Sequence, residues 1–535
     1  MSSVWSIFAL LLFCPALGFD LQILHTNDLH SRFGEINENT RDCKADQKCF
    51  GGFARIAHYF KSHRKNNTLI LNAGDSFQGT PLFVAFGSEI VEKMVNFLEM
   101  DAMSLGNHEF DRGPKVLKEY IDKVKTPVVT CNVDGSSDTD FAESKLKKSI
   151  VKTVGKVKVG IVGYVIKEVK EMSRVGNITI TDEIECITQQ AKKLKEDEKV
   201  NIVIAVGHSG WTKDLEIAKK VEQVDVVVGG HTDTFLYTGT PPSIEKVEGP
   251  YPTLVNQSSG KQVPAVQAFG YTKYVGELNL SFDDNTYKLT NASGNPVLIT
   301  ADMEKNENVT KVLEEFKEKL SKIYQQPVCQ TLVDLNGSCK SKECNMGNIF
   351  TKATSEFVEK ESNSTSDEFK MIGLVNGGNI RTSLSKSSLE NNTITFGDLA
   401  TVLPYPNYLM QVRMNGSLLM DFLNISYHKI SLGGFLQMSQ MKVTYFHNNK
   451  TAEAFVLKKT GEMEKVDCKK KYDVVVTDYL YTGDGYDFRK GELINTFNKP
   501  ALNVVEEWMK NNAPINVTEM DTIVFYDDCS PFYPK

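Results

Sequence analysis

The sequence predicts a two-domain α/β protein. Three observations carry that reading. Five short apolar strands each run into a polar cluster, and helical stretches separate them. An amphipathic helix then spans about residues 309–326, and a second series of strand, turn and helix signals follows it. A chain of 535 residues is too long for one ordinary core. A composition of 41% hydrophobic and 24% charged residues is that of a globular protein, neither disordered nor membrane-embedded. The net charge of −7 argues against a surface that coats a polyanion, so no nucleic-acid polymer is expected as a partner. The lysines at 145, 147, 148 and 469–471 read as solvated faces.

Residues 1–18 read as a secretory signal peptide. Ile7–Phe13 form an apolar core too short to span a bilayer, Pro15 breaks it, and Ala16-Leu17-Gly18 offers small residues for cleavage before Phe19. The C-terminal stretch Tyr526–Lys535 is polar and lacks the hydrophobic tail of a lipid-anchor signal. A secreted, extracellular protein without a membrane anchor is expected, and a monomer. Acceptor triplets for N-glycosylation at Asn177, Asn308, Asn363, Asn424 and Asn516 fit that compartment. Of the 10 cysteines, Cys14 leaves with the signal, while Cys43/Cys49 and Cys339/Cys344 stand at spacings that suit local disulfides. Cys131, just after Val128-Val129, is expected as a buried free thiol. Pairing among Cys186, Cys329, Cys468 and Cys529 stays open.

The first domain, 19–308, contains the five strands. Leu21–Leu24 runs into His25-Thr-Asn-Asp28-Leu-His30, and Leu69–Leu71 into Asn72-Ala-Gly-Asp75. Met103–Leu105 leads to Gly106-Asn107-His108-Glu109-Phe110-Asp111. Ile202–Val206 leads to Gly207-His208, and Val224–Val228 to Gly229-Gly-His231-Thr-Asp233. In α/β domains ligands gather at such strand ends. From about 240 to 300 the chain becomes rich in Pro, Gly and alternating strands such as Tyr274–Phe282. Val309, Val312, Leu313, Phe316, Leu320, Ile323 and Tyr324 then recur at helical spacing until Gln325-Gln326-Pro327 stops them. This is the connector helix, 309–326. The second domain, 327–535, brings Met371–Val375 into Asn376-Gly-Gly-Asn379-Ile-Arg381, and Tyr472–Thr477 precedes Gly483-Asp484-Gly485.

A lone His near a strand is more often a satisfied core or surface residue than a ligand, and His58, His63, His428 and His447 read that way. Asp28, His30, Asp75, Asn107, His208 and His231 differ because all closely follow apolar strands. They form a mixed nitrogen and oxygen set suited to divalent metals, among which zinc, calcium, magnesium and manganese stay open. Two neighbouring ions can clamp a phosphoryl group and activate water. His108 can stand over a substrate with Asp111 fixing its tautomer. Glu109 has no assigned chemistry and reads as structural.

These motifs resemble the calcineurin-like metallophosphoesterases: Asp28-x-His30, Gly74-Asp75, Gly106-Asn107-His108-Glu109, Gly207-His208 and Gly230-His231. With Asn376-Gly-Gly-Asn-Ile-Arg381 and Gly483-Asp484-Gly485 downstream, the whole mature chain resembles the 5′-nucleotidase/apyrase family. The resemblance implies a four-layer catalytic domain joined by the connector helix to a smaller α/β nucleotide-binding domain. It implies two divalent metal ions, with Asp28 and His30 on one, Asn107, His208 and His231 on the other, and Asp75 between them. His108, oriented by Asp111, would stabilise the developing charge or protonate the leaving oxygen. Asn376 and Arg381 would hold phosphate, Tyr405 and Tyr479 would sandwich the base, and Asp484 would contact the sugar or position its loop. The chain departs from the family pattern at Lys340, where an Arg is usual, and at Tyr481-Thr482, which replace a small Gly- and Asn-containing stretch. Asp233 stands where relatives often place another ligand or polar group.

The function so implied is a metal-dependent nucleotide phosphohydrolase. Freely secreted relatives include salivary apyrases, and by that analogy the expected substrates are nucleoside di- and triphosphates, ATP and ADP, with suppression of ADP-driven platelet aggregation as the consequence. A 5′-nucleotidase converting AMP to adenosine is the alternative. A non-catalytic nucleotide or receptor binder is a further one, which the full set of ligands and His108 disfavours.

Overall fold

The computed structural model describes residues 18–526 apart from 45, 406, 447–450, 484 and 498. The expected signal segment up to residue 17, the polar C-terminus from 527 and Asp484 therefore lie outside the described residues. The chain divides into two compact units after Glu318.

Two sheets make up the centre of the first unit. In one, β1 (Gly18–Thr26), β2 (Thr68–Asn72) and β3 (Ala102–Met103) run parallel, and Tyr274–Asp283 and Leu289–Leu298 continue the sheet antiparallel beyond β1. In the other, β4 (Val157–Val165), β5 (Ile202–His208), β6 (Val226–Val228) and β7 (Gln262–Val266) are parallel neighbours, with antiparallel strands at both edges.

Side-chain alternation along the strands explains the layering. Leu21, Ile23, Leu69 and Leu71 meet Ile202, Ile204, Val206, Val226 and Val228 in one buried cluster between the sheets. The alternate residues Leu24 and Ile70 join a second cluster with Phe53, Ile56 and Phe60 of helix Phe53–His63 and with Ile90, Val91 and Met94 of helix Ser88–Asn96. On the other side Val203, Ala205 and Val227 pack with Ile187, Ala191 and Leu194 of helix Glu183–Glu196 and with Ile217 and Ala218 of helix Trp211–Lys220. The result is four layers, helix, sheet, sheet, helix. Because the strands are buried on both faces they read as nearly continuous apolar runs, which is how the sequence presents them.

Helix Glu307–Tyr324 places Val309, Leu313 and Phe316 in the core of the first unit. Its last residues, Ile323 and Tyr324, pack against the core of the second. In the second unit β8 (Ile372–Asn376) and β9 (Lys471–Thr477) are parallel neighbours in a five-stranded sheet, and a four-stranded antiparallel and parallel mixture accompanies it. Helices Asn345–Glu361 and Ala501–Asn511 supply Met346, Ile349, Phe350, Val505 and Met509 to its core.

Disulfides join Cys43 to Cys49 and Cys339 to Cys344. Cys131, expected as a free thiol, is instead bonded to Cys186, with Cα atoms 6.0 Å apart. The partners are 55 residues apart, so no local spacing announced the bond. It became possible because Val129 extends beside the sheet and brings Cys131 under helix Glu183–Glu196. Among the described residues Cys329 and Cys468 are free, and no helix is long and apolar enough to cross a membrane.

Candidate functional site

Parallel strands send their carboxyl ends to one side, and the loops that leave β1, β2, β3, β5 and β6 converge there. Backbone hydrogen bonds zip the first two loops together: Asp28 N donates to Gly74 O at 3.1 Å, His30 N to Asp75 O at 2.9 Å, and Ser31 N to Ser76 O at 3.1 Å. Asp28, His30, Asp75 and His231 all have φ between 45° and 85°. Left-handed backbone is costly for residues with a side chain and persists where the surroundings over-determine it, commonly at functional sites. Gly106 is needed for a close approach: a Cβ there would lie 2.1 Å from Asp75 Oδ1.

The side chains meet in three triads, Asp28–His30–Asp233, His30–Asp75–His108 and Asp75–His208–His231, each with ligand-type atoms within 4.8 Å of one another. Asp28, Asp75 and His208 are buried. His208 uses Nδ1 on Ala73 O at 2.8 Å, which turns Nε2 toward Asp75 Oδ2 at 2.9 Å. A ring nitrogen committed to a carbonyl fixes the tautomer and leaves the other lone pair for a metal. Asn107 Oδ1 lies 2.9 Å from His231 Nδ1, and His231 N donates to Asp28 Oδ2 at 2.9 Å. The six residues expected to hold metal are therefore brought together, Asp75 being common to two triads.

Electrostatics follow from burying carboxylates among imidazoles. Burial pushes the Asp28 carboxyl up and pulls the His30 imidazole down to about 4. Burial and the facing His208 also take His231 down to about 4. Burial alone would raise Asp75, yet the imidazoles of His208 and His108 hold it well below the usual carboxylate range. Asp233 Oδ1 is buried with no hydrogen-bond partner among the described residues, while its Oδ2 accepts from Tyr271 OH at 2.7 Å. The neutral imidazoles of His30 and His231, the buried carboxylates and an orphaned carboxylate oxygen make a donor set that divalent ions fit, and an ion in place would displace the proton that Asp75 and Asp28 favour on His208.

His108 Nδ1 bonds Asp111 Oδ2 at 2.8 Å, and Ser173 Oγ stands 2.9 Å from Asp111 Oδ1 and 2.7 Å from Asn107 O. Burial lowers the His108 imidazole, but Asp75 and Asp111 outweigh it and raise it to about 9.

The sequence leaves Asn27 and Gln267 without a role, marks Glu109 as structural and leaves the part of Asp233 open. Glu109 accepts from Ser76 N and Phe77 N on one oxygen, and from Asp75 N and Gly106 N on the other, at 2.5–3.1 Å. Asp233 joins a triad. Asn27 Nδ2 donates to Asp28 Oδ2 at 2.8 Å. Gln267 Nε2 reaches Gly230 O at 3.1 Å and Asp214 Oδ2 at 2.6 Å, and its Oε1 accepts from Thr234 N at 3.1 Å. Glu109, Asp233 and Asn27 carried a signal in the sequence, by standing beside assigned residues, and Gln267 carried none.

In the second unit a cavity of about 280 Å³ is lined by Asn376, Gly378, Asn379, Arg381, Tyr405, Asn407, Gly433 and Tyr479. Four of the five expected substrate residues are thus gathered, and the fifth, Asp484, lies outside the described residues. Asn376 ends β8, and Tyr479 stands in the first turn of the helix Asp478–Thr482 that follows β9. Tyr405 and Tyr479 are 44% and 52% exposed, large aromatic surfaces left open to a ligand. The Arg381 guanidinium lies 5.9 Å from the Tyr405 ring centroid. Lys340 is exposed on the Cys339–Cys344 loop and does not line this cavity, and Tyr481 packs against the core.

Residues 21–234 match the calcineurin-like phosphoesterase family and residues 327–490 the 5′-nucleotidase C-terminal domain. Protein 5NUC of Lutzomyia longipalpis is 35% identical over 93% of this chain and 91% of its own length. Snake venom 5′-nucleotidase of Crotalus adamanteus is 36% identical over 94% of this chain and 89% of its own. The crystal structure of a 5′-nucleotidase precursor from Thermus thermophilus shares the architecture at a TM-score of 0.61 and 28% identity, covering 95% of this chain and 100% of that one.

Proposed function

The chain belongs to the 5′-nucleotidase family of metal-dependent nucleotide phosphohydrolases, and on that premise we propose that it converts nucleoside 5′-monophosphates, AMP foremost, to nucleoside and phosphate outside the cell. The observation that carries the reading is the convergence of two aspartates, three histidines and Asn107 at the strand ends of the first unit, in a chain matched nearly end to end by relatives named 5′-nucleotidase. The ATP- and ADP-directed expectation, with its platelet effect, rests on analogy to secreted apyrases, and those names favour the monophosphate.

In this reading Asp28 and His30 would hold one divalent ion and Asn107, His208 and His231 the other, with Asp75 serving both and Asp233 available to the first. Bound there, the ions supply charge stabilisation at the phosphoryl oxygens and make water nucleophilic at neutral pH. Asp111 fixes the His108 ring by its bond to Nδ1, which leaves Nε2 as the proton-bearing atom toward the leaving oxygen. The buried strand ends exclude bulk water from Asp28, Asp75 and His208. Arg381 and Asn376 contact the phosphate or sugar, and Tyr405 and Tyr479 stack on the base. The signal-like segment, three disulfides and a venom relative support secretion, and we take the protein as a monomer.

Phosphate release from AMP, ADP and ATP by the purified protein tests this. Release from AMP at the highest kcat/KM is expected. Preference for ADP or ATP would instead restore the apyrase reading.

A further inference from the structure

The sequence points to five strand ends at the site, and the fold brings a sixth. β4 pairs in register with β5 as far as Val165 opposite His208, so its carboxyl end opens on the same side. Asn132 fixes that end, accepting from Val165 N at 3.0 Å and donating to Val165 O at 2.7 Å, and Ile166 N donates to His208 O at 2.8 Å. The chain then turns through Val169–Met172, with Val169 buried in one cluster with Leu105 and Phe110, which flank Asn107 and His108 in the sequence. Ser173 follows, its N–H donating to Val169 O at 2.8 Å. An anchored turn thus brings a serine to Asp111 from 62 residues away.

Ser173 Oγ has one proton and two acceptors in reach, Asn107 O at 2.7 Å and Asp111 Oδ1 at 2.9 Å. The two acceptors are not equivalent. Asn107 O also accepts from Phe110 N at 3.2 Å. Asp111 Oδ2 is committed to His108 Nδ1, and among the described residues Ser173 is the one hydrogen-bond partner of Oδ1. Arg112, next in the chain, turns away and donates from Nη2 to Phe83 O and Val84 O at 3.0 and 3.1 Å. The terminal torsion of an aspartate is soft. Without the hydroxyl the carboxylate rotates more freely, and the imidazole it steers follows.

We propose that Ser173 is a positioning residue: it holds the second oxygen of Asp111 and thereby aims His108 Nε2 at the leaving oxygen. The proposal rests on the reading above in which His108 protonates that oxygen. In that step a water oxygen bonds to phosphorus as the bond from phosphorus to the ester oxygen breaks. The ester oxygen keeps the electron pair and takes the proton of Nε2. The surplus proton of the attacking water then restores the imidazole through solvent.

The test varies the leaving group. A ribose alkoxide is strongly basic and needs that proton, whereas 4-nitrophenolate leaves without it. The full-length protein with its metals and Ser173→Ala are compared on AMP, phenyl phosphate and 4-nitrophenyl phosphate. In Ser173→Ala, kcat on AMP relative to kcat on 4-nitrophenyl phosphate is expected to fall roughly tenfold, with KM for AMP nearly unchanged. Phenyl phosphate, with a leaving group of intermediate basicity, should fall between them. Ser173→Thr and Ser173→Val have one shape with and without the hydroxyl, so the first should restore the ratio and the second should not. This pair carries the comparison if Ser173→Ala does not fold. Zinc titration of the apoprotein should give the same affinity with and without the hydroxyl, because Asn107 keeps Phe110 N on its main chain and His231 on its side chain. An equal fall on all three esters, or an unchanged ratio, overturns the positioning role alone. A tenfold loss of zinc affinity overturns it too, by placing Ser173 in support of Asn107. Hydrolysis of the aryl phosphates without hydrolysis of AMP overturns the nucleotidase reading instead, and the ratio of phenyl to 4-nitrophenyl phosphate then judges Ser173.

Discussion

The Glu109 carboxylate carries no chemistry in the proposed reaction, yet each of its oxygens accepts two backbone N–H groups from the loops that present Asp75 and Asn107. Glu109→Gln replaces one acceptor oxygen by an amide nitrogen facing two donors. Buried N–H groups left unpaired cost about 1–3 kcal/mol each, so urea unfolding should show a loss of that order or more. The concentration of divalent ion needed for half-maximal activity should rise too. An unchanged metal requirement would mean that the loops hold their geometry without this carboxylate. His108 is of the other kind. His108→Ala should lower kcat by roughly 10²–10⁴-fold with KM nearly unchanged, and Asp111→Asn should lower kcat less, because only the orientation of the ring is lost. Steady-state kinetics separates the two, and a rise in KM matching the fall in kcat would make His108 a binding residue. The sequence exposed His108 and Asp111 through their spacing of three. It could not expose what Glu109 does, because its partners at 75–77 come from another loop.

At the level of elements, the strands were legible because burial on both faces leaves nearly uninterrupted apolar runs, and the ligands because each follows one of those runs. What crossed between elements was hidden. The Cys131–Cys186 bond links a sheet margin to a helix, and Gln267, at the end of β7, clamps the loop leaving β6. Behind Gln267 stands Asp214, fully buried in helix Trp211–Lys220, with Tyr164 OH of β4 donating to its other oxygen at 2.7 Å. Burial raises the Asp214 carboxyl to about 7. Tyrosine, aspartate and glutamine thus tie β4, a helix and β7 to the backbone on both sides of His231. Gln267→Ala frees Gly230 O and Thr234 N and lets His231 move. Residues that orient metal ligands typically contribute 10–100-fold in affinity, and that loss is expected when apoprotein is titrated with zinc or manganese. Gln267→Glu, which keeps the acceptor for Thr234 N but brings a carboxylate against Asp214, should do no better. Wild-type affinity in Gln267→Ala would show the loop to be held by its neighbours alone.

At the level of the whole molecule, the candidate metal ligands and the cavity lined by Tyr405 and Tyr479 belong to different units, each with its own apolar cores. All six expected ligands lie in the first unit, so metal binding is linked to the stability of that unit and not to the other's. A ligand present at a hundred times its dissociation constant adds about 2.7 kcal/mol to the state that binds it. Thorough chelation should therefore abolish phosphate release and lower the unfolding temperature of the first unit, while the second unit's transition stays in place. Calorimetry of the full chain with and without chelator reads both transitions, and limited proteolysis assigns each to residues before or after Glu318. Adding back zinc, manganese, magnesium or calcium singly should restore the first transition and the activity together, and the ion effective at the lowest concentration is the one the site prefers. If both transitions fell equally on chelation, the two units would be unfolding as one cooperative block. If neither fell while activity was lost, the ions would contribute to catalysis without holding the strand ends together, and the strained backbone at Asp28, His30, Asp75 and His231 would have to be maintained by the zipped loops and Glu109 alone.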